Sequence, residues 1–505
     1  MRLSKLVQPL PDAVLANYAD RSIQGLALNS MRVRPDFLFA MVPGPHGDGS
    51  AYVPDAIARG AVAVLAPRQV PVPPHVTLAI VPDVRRALAD LCCRYYGSPA
   101  DHVRTVGVTG TNGKTTTVML VRALLTTAGK QAALLSTVVN HIGPLQVPAA
   151  NTTPESPELQ ALFADMVERH IGYAVMEVSS QGLAQERVRG VPFAVGAYTN
   201  ITPNEHLDYH GTFENYRAAK AKLFASLAPD ATAVLNADDP HCAFLREQRG
   251  AGRVLTYGLQ APADVTAEIE TMDLAGCTFR LHSPQGRLRL RSPLIGGYNV
   301  QNLLCGISCG LALGLDLEGI AEAVRRFPGA PGRLERIDEG QPFTMLVDYA
   351  HNNGGLESVL STLKPLVTAP GRLIVVFGCG GDRDKTKRPL MGATASEHAD
   401  VIVITADNSR GECTDAILSA IRSGVQAGAE CIVEPCRREA IRTAITLARP
   451  GDLVALCGKG HEDYQELAGV RYPFDDREVA RRALCFHQHR VRDYSQAELS
   501  PSGVS

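Results

Sequence analysis

Residues 107–117 read Gly-Val-Thr-Gly-Thr-Asn-Gly-Lys-Thr-Thr-Thr. They overlap the end of the β-branched run VRTVGV and lead into a stretch rich in Leu, Met and Val. Glycines at such a strand-to-helix turn let backbone N–H groups approach phosphate oxygens, and the helix N-terminus adds partial positive charge. In that frame Gly110, Thr111, Asn112 and Gly113 form the cradle, Lys114 bridges the β- and γ-phosphates, and the Thr115 hydroxyl joins an Mg²⁺ shell. One position departs from the strict spacing: Val108 stands where the motif wants glycine, and glycines occupy 107 and 110. The plainer alternative is a tight turn with a surface lysine. Three glycines and Gly-Lys-Thr in this context weigh against it. A phosphate loop names a ligand class and not a reaction, because hydrolases, kinases, motors and ligases share it.

The loop needs a sheet to hold it, and the chain repeats the required unit. A short apolar, β-branched run, a polar or Gly-rich turn and a helical stretch recur. Examples are YAVMEV before SSQG, FAVGAYT before NITP, TAVLN before ADDP, TMLVD before YAHN, RLIVVFG before CGGD, DVIVIT before ADNS and DLVALC before GKGH. Continuous apolar strands alternating with helices predict an α/β fold of parallel sheets covered on both faces. Ligands in such folds bind beyond the carboxyl ends of the strands. Glu177, Asn200, Asp348, Asp382, Asp407 and Lys459 sit at those ends. Pro and Gly cluster at Pro328–Gly332, and a second break falls at Ser98–Asp101. The predicted domains are therefore residues 1–100, 101–331 and 332–505. Residues 261–295 read as short antiparallel strands inserted in the middle one.

Composition agrees with that division. At about 150 residues per domain, 505 residues suggest three domains. Fifty Lys and Arg against 52 Asp and Glu leave a net charge of −2, which gives no case for a nucleic-acid partner. No run reaches the about 18 apolar residues of a membrane span, and MRLSKLVQPLPDAV lacks an apolar leader core. The twelve cysteines are scattered through apolar stretches without a CxxC, and read as buried free thiols of a cytoplasmic protein.

Eight motifs in one order carry a more specific signal. They are GTNGKTTT (110–117), EVSSQGL (177–183), HLDYHGTFENYRAAKAKLF (206–224), GYNVQN (297–302), PGRLE (331–335), DYAH (348–351), GCGGDRDKTKRPLMG (378–392) and GKGHEDYQ (458–465). Together they resemble the ATP-dependent Mur ligases over almost the whole chain. The last two are similar to the branch that adds meso-diaminopimelate. The resemblance implies a three-domain architecture with a central P-loop ATPase domain and a C-terminal Rossmann-like domain. It implies amide formation through an acyl phosphate, with ATP and Mg²⁺ as cofactors. The substrates implied are a UDP-linked muramoyl-dipeptide, UDP-N-acetylmuramoyl-L-alanyl-D-glutamate, and a diamino acid, with the protein a monomer. Two anions, carboxylate and triphosphate, must meet in that reaction, so cations have to offset their repulsion.

Residue by residue, the resemblance makes Glu177 and His206 metal ligands and Lys220 the lysine that becomes carbamylated. Arg333, Asp348, Asn299 and Asn302 match nucleotide contacts. Asn151, Thr152, Thr153, Ser179, Gln185 and Arg187 match the positions that hold the dipeptide donor. Leu28 and Ser30 match uridine-side contacts, with Pro45-His46-Gly47 on the next contact loop. Arg383, Asp407, Asn408, Ser409, Arg410, Gly458 and Glu462 match the acceptor pocket. There, paired arginines suit a distal carboxylate and Glu462 suits an ammonium; lysine would leave an arginine unpaired. Three departures stand out. The chain has Asn29-Ser30-Met31 where the family has Asp-Ser-Arg, Ser409 where it has proline, and Asn352-Asn353 after His351. Replacing proline frees the loop backbone. These departures keep open a paralogue with another donor or acceptor. A folate-type polyglutamate ligase shares the P-loop and the lysine, but GCGGDRDKTKRP and GKGHED argue against it. A slow ATP-hydrolysing sensor remains the alternative of a different class.

Overall fold

The fold is set by where the apolar runs lie. A computed structural model describes residues 1–10, 12–44, 47–203, 205–250 and 252–498, with side chains described up to residue 487. The chain forms two units: residues 1–268, 280–289 and 301–324, and residues 269–279, 290–300 and 325–505.

The first unit holds two sheets. One is five-stranded, in the order Val14–Ala16, Thr77–Ile80, Ala61–Ala66, Phe37–Ala40 and Gly25–Ala27, parallel except for the first pair. The other is built on the parallel strands Ala132–Leu135, Tyr173–Glu177, Arg104–Thr109, Phe193–Tyr198, Thr232–Asn236 and Arg253–Gly258, in that spatial order. Two short antiparallel strands, Val139–Ile142 and Leu145–Pro148, extend its Ala132–Leu135 edge. The register sets Glu177 opposite Val108 and Tyr198 opposite Thr109. The carboxyl ends of the three central strands are therefore level, and the turns leaving them lie side by side along one edge of the sheet.

The second unit carries a six-stranded sheet, in the order Glu335–Ile337, Thr344–Asp348, Leu453–Cys457, Leu373–Phe377, Val401–Ile404 and Glu430–Val433. Only the first pair is antiparallel. Side chains alternate across the sheet with period two. Leu373, Val375 and Phe377 join one core, and Ile374 and Val376 the other. Helices cover both faces, which is why the inner strands Leu453–Cys457, Leu373–Phe377 and Val401–Ile404 are apolar at every position. The inserted segment forms Val265–Asp273, Gly276–Ser283 and Gly286–Ser292.

The expected free thiols are all unpaired, but their burial differs from the prediction: Cys413, Cys436 and Cys485 are exposed. They lie beside helix starts or on a helix's outer face, where apolar neighbours in sequence do not imply apolar neighbours in space. Among the described residues, no helix is long and apolar enough to cross a membrane.

Candidate functional site

The P-loop runs from the strand Arg104–Thr109 into the helix Lys114–Thr127. Gly110 has φ +153°, and a Cβ there would collide with the Thr199 hydroxyl. Gly113 has φ +84°, and a Cβ there would collide with the Asn302 amide oxygen. Both glycines are thus required by close approach as well as by φ. The loop is pinned by the next strand's exit. Thr111 N donates to Asn200 O at 2.8 Å, Asn112 N to Asn200 Oδ1 at 2.9 Å, and Thr199 Oγ1 to Asn112 O at 2.6 Å. Lys114 Nζ donates to Gly110 O and Thr111 O, both at 2.9 Å.

Glu177 ends the neighbouring strand and is buried. Its Oε1 accepts from Thr115 Oγ1 at 3.0 Å and from Thr137 N at 2.9 Å, and its Oε2 accepts from Thr137 Oγ1 at 3.1 Å. Thr137 was not singled out by sequence reasoning. It comes after the strand beyond Glu177's own, and only strand order brings it here.

Lys220 lies on the helix Phe213–Ala225, which Thr212 caps by accepting from Asn215 N at 3.2 Å. Tyr216, Ala219, Lys220, Leu223 and Phe224 are buried at the spacing i, i+3, i+4, i+7 and i+8. The lysine therefore occupies the apolar stripe. It is 1% exposed, and its Nζ stands 4.6 Å from the Tyr216 ring centroid. Among the described residues, no carboxylate pairs with it. Burial, and then repulsion from Lys114, hold its pKa well below the usual lysine value. His206 precedes the short helix Leu207–His210 with φ +57°. Burial, and then the positive charge of Lys114, push its pKa down to about 4, so it is neutral near pH 7. Hydroxyl, carboxylate and neutral imidazole donors thus gather near the P-loop, a set that suits Mg²⁺. Lys220 as an ammonium would repel the ion; carrying a carboxylate, it would fit.

Beside Glu177, Thr153 Oγ1 donates to Glu177 O at 2.9 Å and accepts from Ser179 N at 2.9 Å. Thr152 Oγ1 lies 3.1 Å from Thr137 Oγ1, and Asn151 is exposed. Arg187 is already engaged. It pairs with Glu155 at 2.8 Å and donates to Thr153 O at 2.8 Å and twice to Gln185 Oε1 at 2.9 and 2.6 Å. The carboxylate it holds is the protein's own, which sequence reasoning did not anticipate. Leu28 and Ser30 belong to the five-stranded-sheet region, and Asn29 caps its own short turn by accepting from Met31 N at 2.9 Å. Pro45 and His46 lie outside the described residues.

In the second unit, Asp348 ends its strand and accepts from Leu334 N and Ala350 N, both at 2.8 Å. Burial raises its pKa, against the pull of Arg333. The carboxylate fixes the turn that carries Arg333, whose guanidinium lies 4.7 Å from the Tyr349 ring centroid. Asn299 is buried and donates to Ile295 O at 2.8 Å. Asp407, Asn408, Ser409 and Arg410 come after the strand Val401–Ile404. Ser409 Oγ is 2.7 Å from Thr414 Oγ1, so the loop expected to be freed by losing proline is tied by a hydroxyl pair. Arg410 has φ +51° and donates through Nη1 to Gly381 O at 2.7 Å. A Cβ on Gly458, which has φ +118°, would stand 2.8 Å from Asp407 Oδ2. Arg383 is exposed. Glu462 is half-buried and bonded by Asn408 Nδ2 at 2.9 Å and Lys459 Nζ at 3.1 Å. Lys459, which sequence reasoning placed at a strand's carboxyl end without a role, belongs to this cluster.

Three family descriptions match the chain: Mur ligase family, catalytic domain over 22–96; Mur ligase middle domain over 108–310; and Mur ligase, glutamate ligase domain over 332–460. The chain is 45% identical over 469 residues to the UDP-N-acetylmuramoyl-L-alanyl-D-glutamate--2,6-diaminopimelate ligase of Thermosynechococcus vestitus, covering 92% of this chain and 94% of that one. The chain belongs to the Mur ligase family. This Mur ligase is also 43% identical over 491 residues to the ligase of the same description from Geobacillus thermodenitrificans, covering 96% and 99% of the two chains. A solved structure of a UDP-N-acetylmuramoyl-L-alanyl-D-glutamate--2,6-diaminopimelate ligase covers 97% of this Mur ligase and all of that chain, at a TM-score of 0.70 and 34% identity. The MurF structure of Acinetobacter baumannii, at 22% identity and a TM-score of 0.64, shares the fold. The three-domain Mur ligase architecture is thus the fold of this chain.

Proposed function

We propose that this Mur ligase joins meso-diaminopimelate to UDP-N-acetylmuramoyl-L-alanyl-D-glutamate at the expense of ATP. Full-length similarity to ligases of that description supports the reading. The observation that carries it is Lys220: a buried amine beside Lys114 and His206, with no acid partner among the described residues. A nucleotide sensor has no use for such a group. A neutral lysine amine can attack CO₂, forming an N–C bond and releasing a proton, and so become an anionic carbamate.

The reaction asks this chain for charge control. A donor carboxylate oxygen bonds to the γ-phosphorus of ATP as the bond to the ADP oxygen breaks. The acceptor amine then bonds to the acyl carbon, phosphate leaves, and the amine loses a proton. P-loop N–H groups and Lys114 bind the phosphates and offset their charge as it shifts toward ADP. Thr115, Glu177, His206 and carbamylated Lys220 would hold Mg²⁺, which when bound supplies further positive charge at the phosphates. Asn299, Asn302, Arg333 and Asp348 are proposed for the nucleotide. Asn151, Thr152, Thr153, Ser179 and Gln185 are proposed for the donor dipeptide, with Leu28 and Ser30 for the uridine side. Arg187, held by Glu155, acts on the donor by orienting Thr153 and Gln185. Arg383 and Arg410 suit the acceptor's distal carboxylate, with Asp407, Asn408, Ser409, Gly458 and Glu462 forming the rest of that pocket. Residues 1–100, 101–331 and 332–505 would then serve donor, nucleotide and acceptor in turn.

The test is an acceptor panel with ATP, Mg²⁺ and the UDP-muramoyl-dipeptide. Meso-diaminopimelate should give a product of the tripeptide mass, and lysine, ornithine and glutamate should give little. Phosphate release independent of donor and amine would favour a sensor. A second reading, a paralogue with another donor, draws on Asn29 and Met31 at the uridine-side turn; product with only a different donor would establish it.

A further inference from the structure

Lys459, Asn408 and Glu462 form a closed triangle behind the acceptor loop. Lys459 comes after the strand Leu453–Cys457 and is 0% exposed. Its Nζ donates to Asn408 Oδ1 and Glu462 Oε2, both at 3.1 Å, and lies 3.9 Å from Asp407 Oδ1. Asn408 closes the figure. Its Nδ2 donates to Glu462 Oε2 at 2.9 Å, and its Oδ1 also accepts from Glu466 N at 2.9 Å. The amide therefore has one orientation, since flipping it would set its NH₂ against two donors. A buried ammonium must be paired, and this one is paired by Asn408 and Glu462 with Asp407 close by. Burial works against the Asp407 carboxylate, yet Lys459 and then Arg437 hold its pKa below the ordinary value.

The consequence concerns Glu462. Both of its side-chain bonds fall on Oε2. Among the described residues, none donates to Oε1. The carboxylate is thus held in one rotamer with one oxygen left over. A mobile glutamate would lose rotamer freedom on binding an ammonium, and a held one loses little.

We infer that Lys459 is a positioning residue of the acceptor pocket, holding Glu462 so that Oε1 is the single carboxylate oxygen offered to the acceptor's distal ammonium. Lys459 itself, fully buried, touches no substrate. The inference rests on the ligase reading and adds a residue and a selectivity to it.

The experiment compares two acceptors in the full chain: meso-diaminopimelate and 2-aminopimelate, which lacks the distal amine. Lys459→Gln should raise the KM for meso-diaminopimelate about tenfold to a hundredfold, the worth of one charge-assisted hydrogen bond. The KM for 2-aminopimelate and for ATP should stay within about twofold, since neither carries the group that Glu462 would bind. Equal losses for both acceptors would overturn the inference, because a general structural role predicts them. Lys459→Met gives a second route. Added to Glu462→Gln, it should cost no more than Glu462→Gln alone, and additive losses would overturn the coupling. Failure of both lysine variants to fold would likewise favour a purely structural lysine. Absence of wild-type turnover with meso-diaminopimelate would defeat the ligase reading and this inference together. Wild-type turnover with an acceptor-blind variant effect would defeat the inference alone.

Discussion

Replacing Lys220 should separate stability from turnover. The amine is 1% exposed, lies on an apolar helix stripe, and has its pKa held well below 10.5 by burial and then by Lys114. Between the folded pKa and 10.5, the unfolded chain therefore binds a proton that the folded chain does not. Stability contributed by this site rises with pH through that window and is lost as pH falls. One group sets a ceiling of about 1.4 kcal/mol per pH unit, or about 3 kcal/mol across two units. Lys220→Met keeps most of the volume and removes the titration. Urea unfolding of both proteins at pH 7, 8 and 9 in CO₂-depleted buffer should give a wild-type curve that climbs more steeply than the variant's. Added bicarbonate should flatten the wild-type curve, because a carbamate no longer titrates as an amine. Activity should move the other way. Lys220→Ala should lower turnover by on the order of a hundredfold to a thousandfold, the size of one lost preorganised charge. Formate or acetate should restore part of it by entering the vacated volume. Parallel pH curves would refute a buried neutral amine, and undiminished turnover in Lys220→Ala would sink its role in the reaction.

Gly113→Ala should weaken ADP binding at least about tenfold by calorimetry, since φ of +84° and the Asn302 amide both oppose a Cβ; unchanged affinity would show that the loop can relax. Asp476→Ala should cost about 3–5 kcal/mol in urea unfolding, because it strands Arg437, a guanidinium with 0% side-chain exposure held at 2.6 and 2.7 Å; a loss under about 1 kcal/mol would mean that water reaches it. His206 and His461 should both titrate near pH 4 by NMR, each pushed down by burial first. The unfolded chain then binds more protons between about 4 and 6.5, so stability falls as pH drops through that range; midpoints above 6 would contradict this.

The parallel sheets were legible because their strands are nearly continuous apolar runs, and the strand ends carrying Glu177, Asp348 and Asp407 could be placed from the same runs. The P-loop was legible because its glycines and lysine are contiguous. What stayed hidden is the choice of partner. Thr137 sits in an undistinguished Ser-Thr-Val-Val stretch and meets Glu177 only because the strand before it is neighbour to the Glu177 strand. Arg187 was legible as a donor-side arginine, but its pairing with Glu155 was not.

Lys459 shows the same limit most sharply. The run DLVALC puts Lys459 at a strand's carboxyl end, where ligands bind, but only Gly458 and Glu462 of GKGHED are assigned to the acceptor. The strand Leu453–Cys457 is central in its sheet, so the turn leaving it is walled by the loops of its neighbours. Burial of the ammonium comes from that position and not from the local sequence. A charge buried there must find acids or amides nearby, and the loop after the strand Val401–Ile404 supplies Asp407 and Asn408. The lysine, placed at a strand end by the sequence but given no partner there, thus decides how Glu462 stands. Acceptor selectivity in this chain would then depend on a residue that no acceptor can touch.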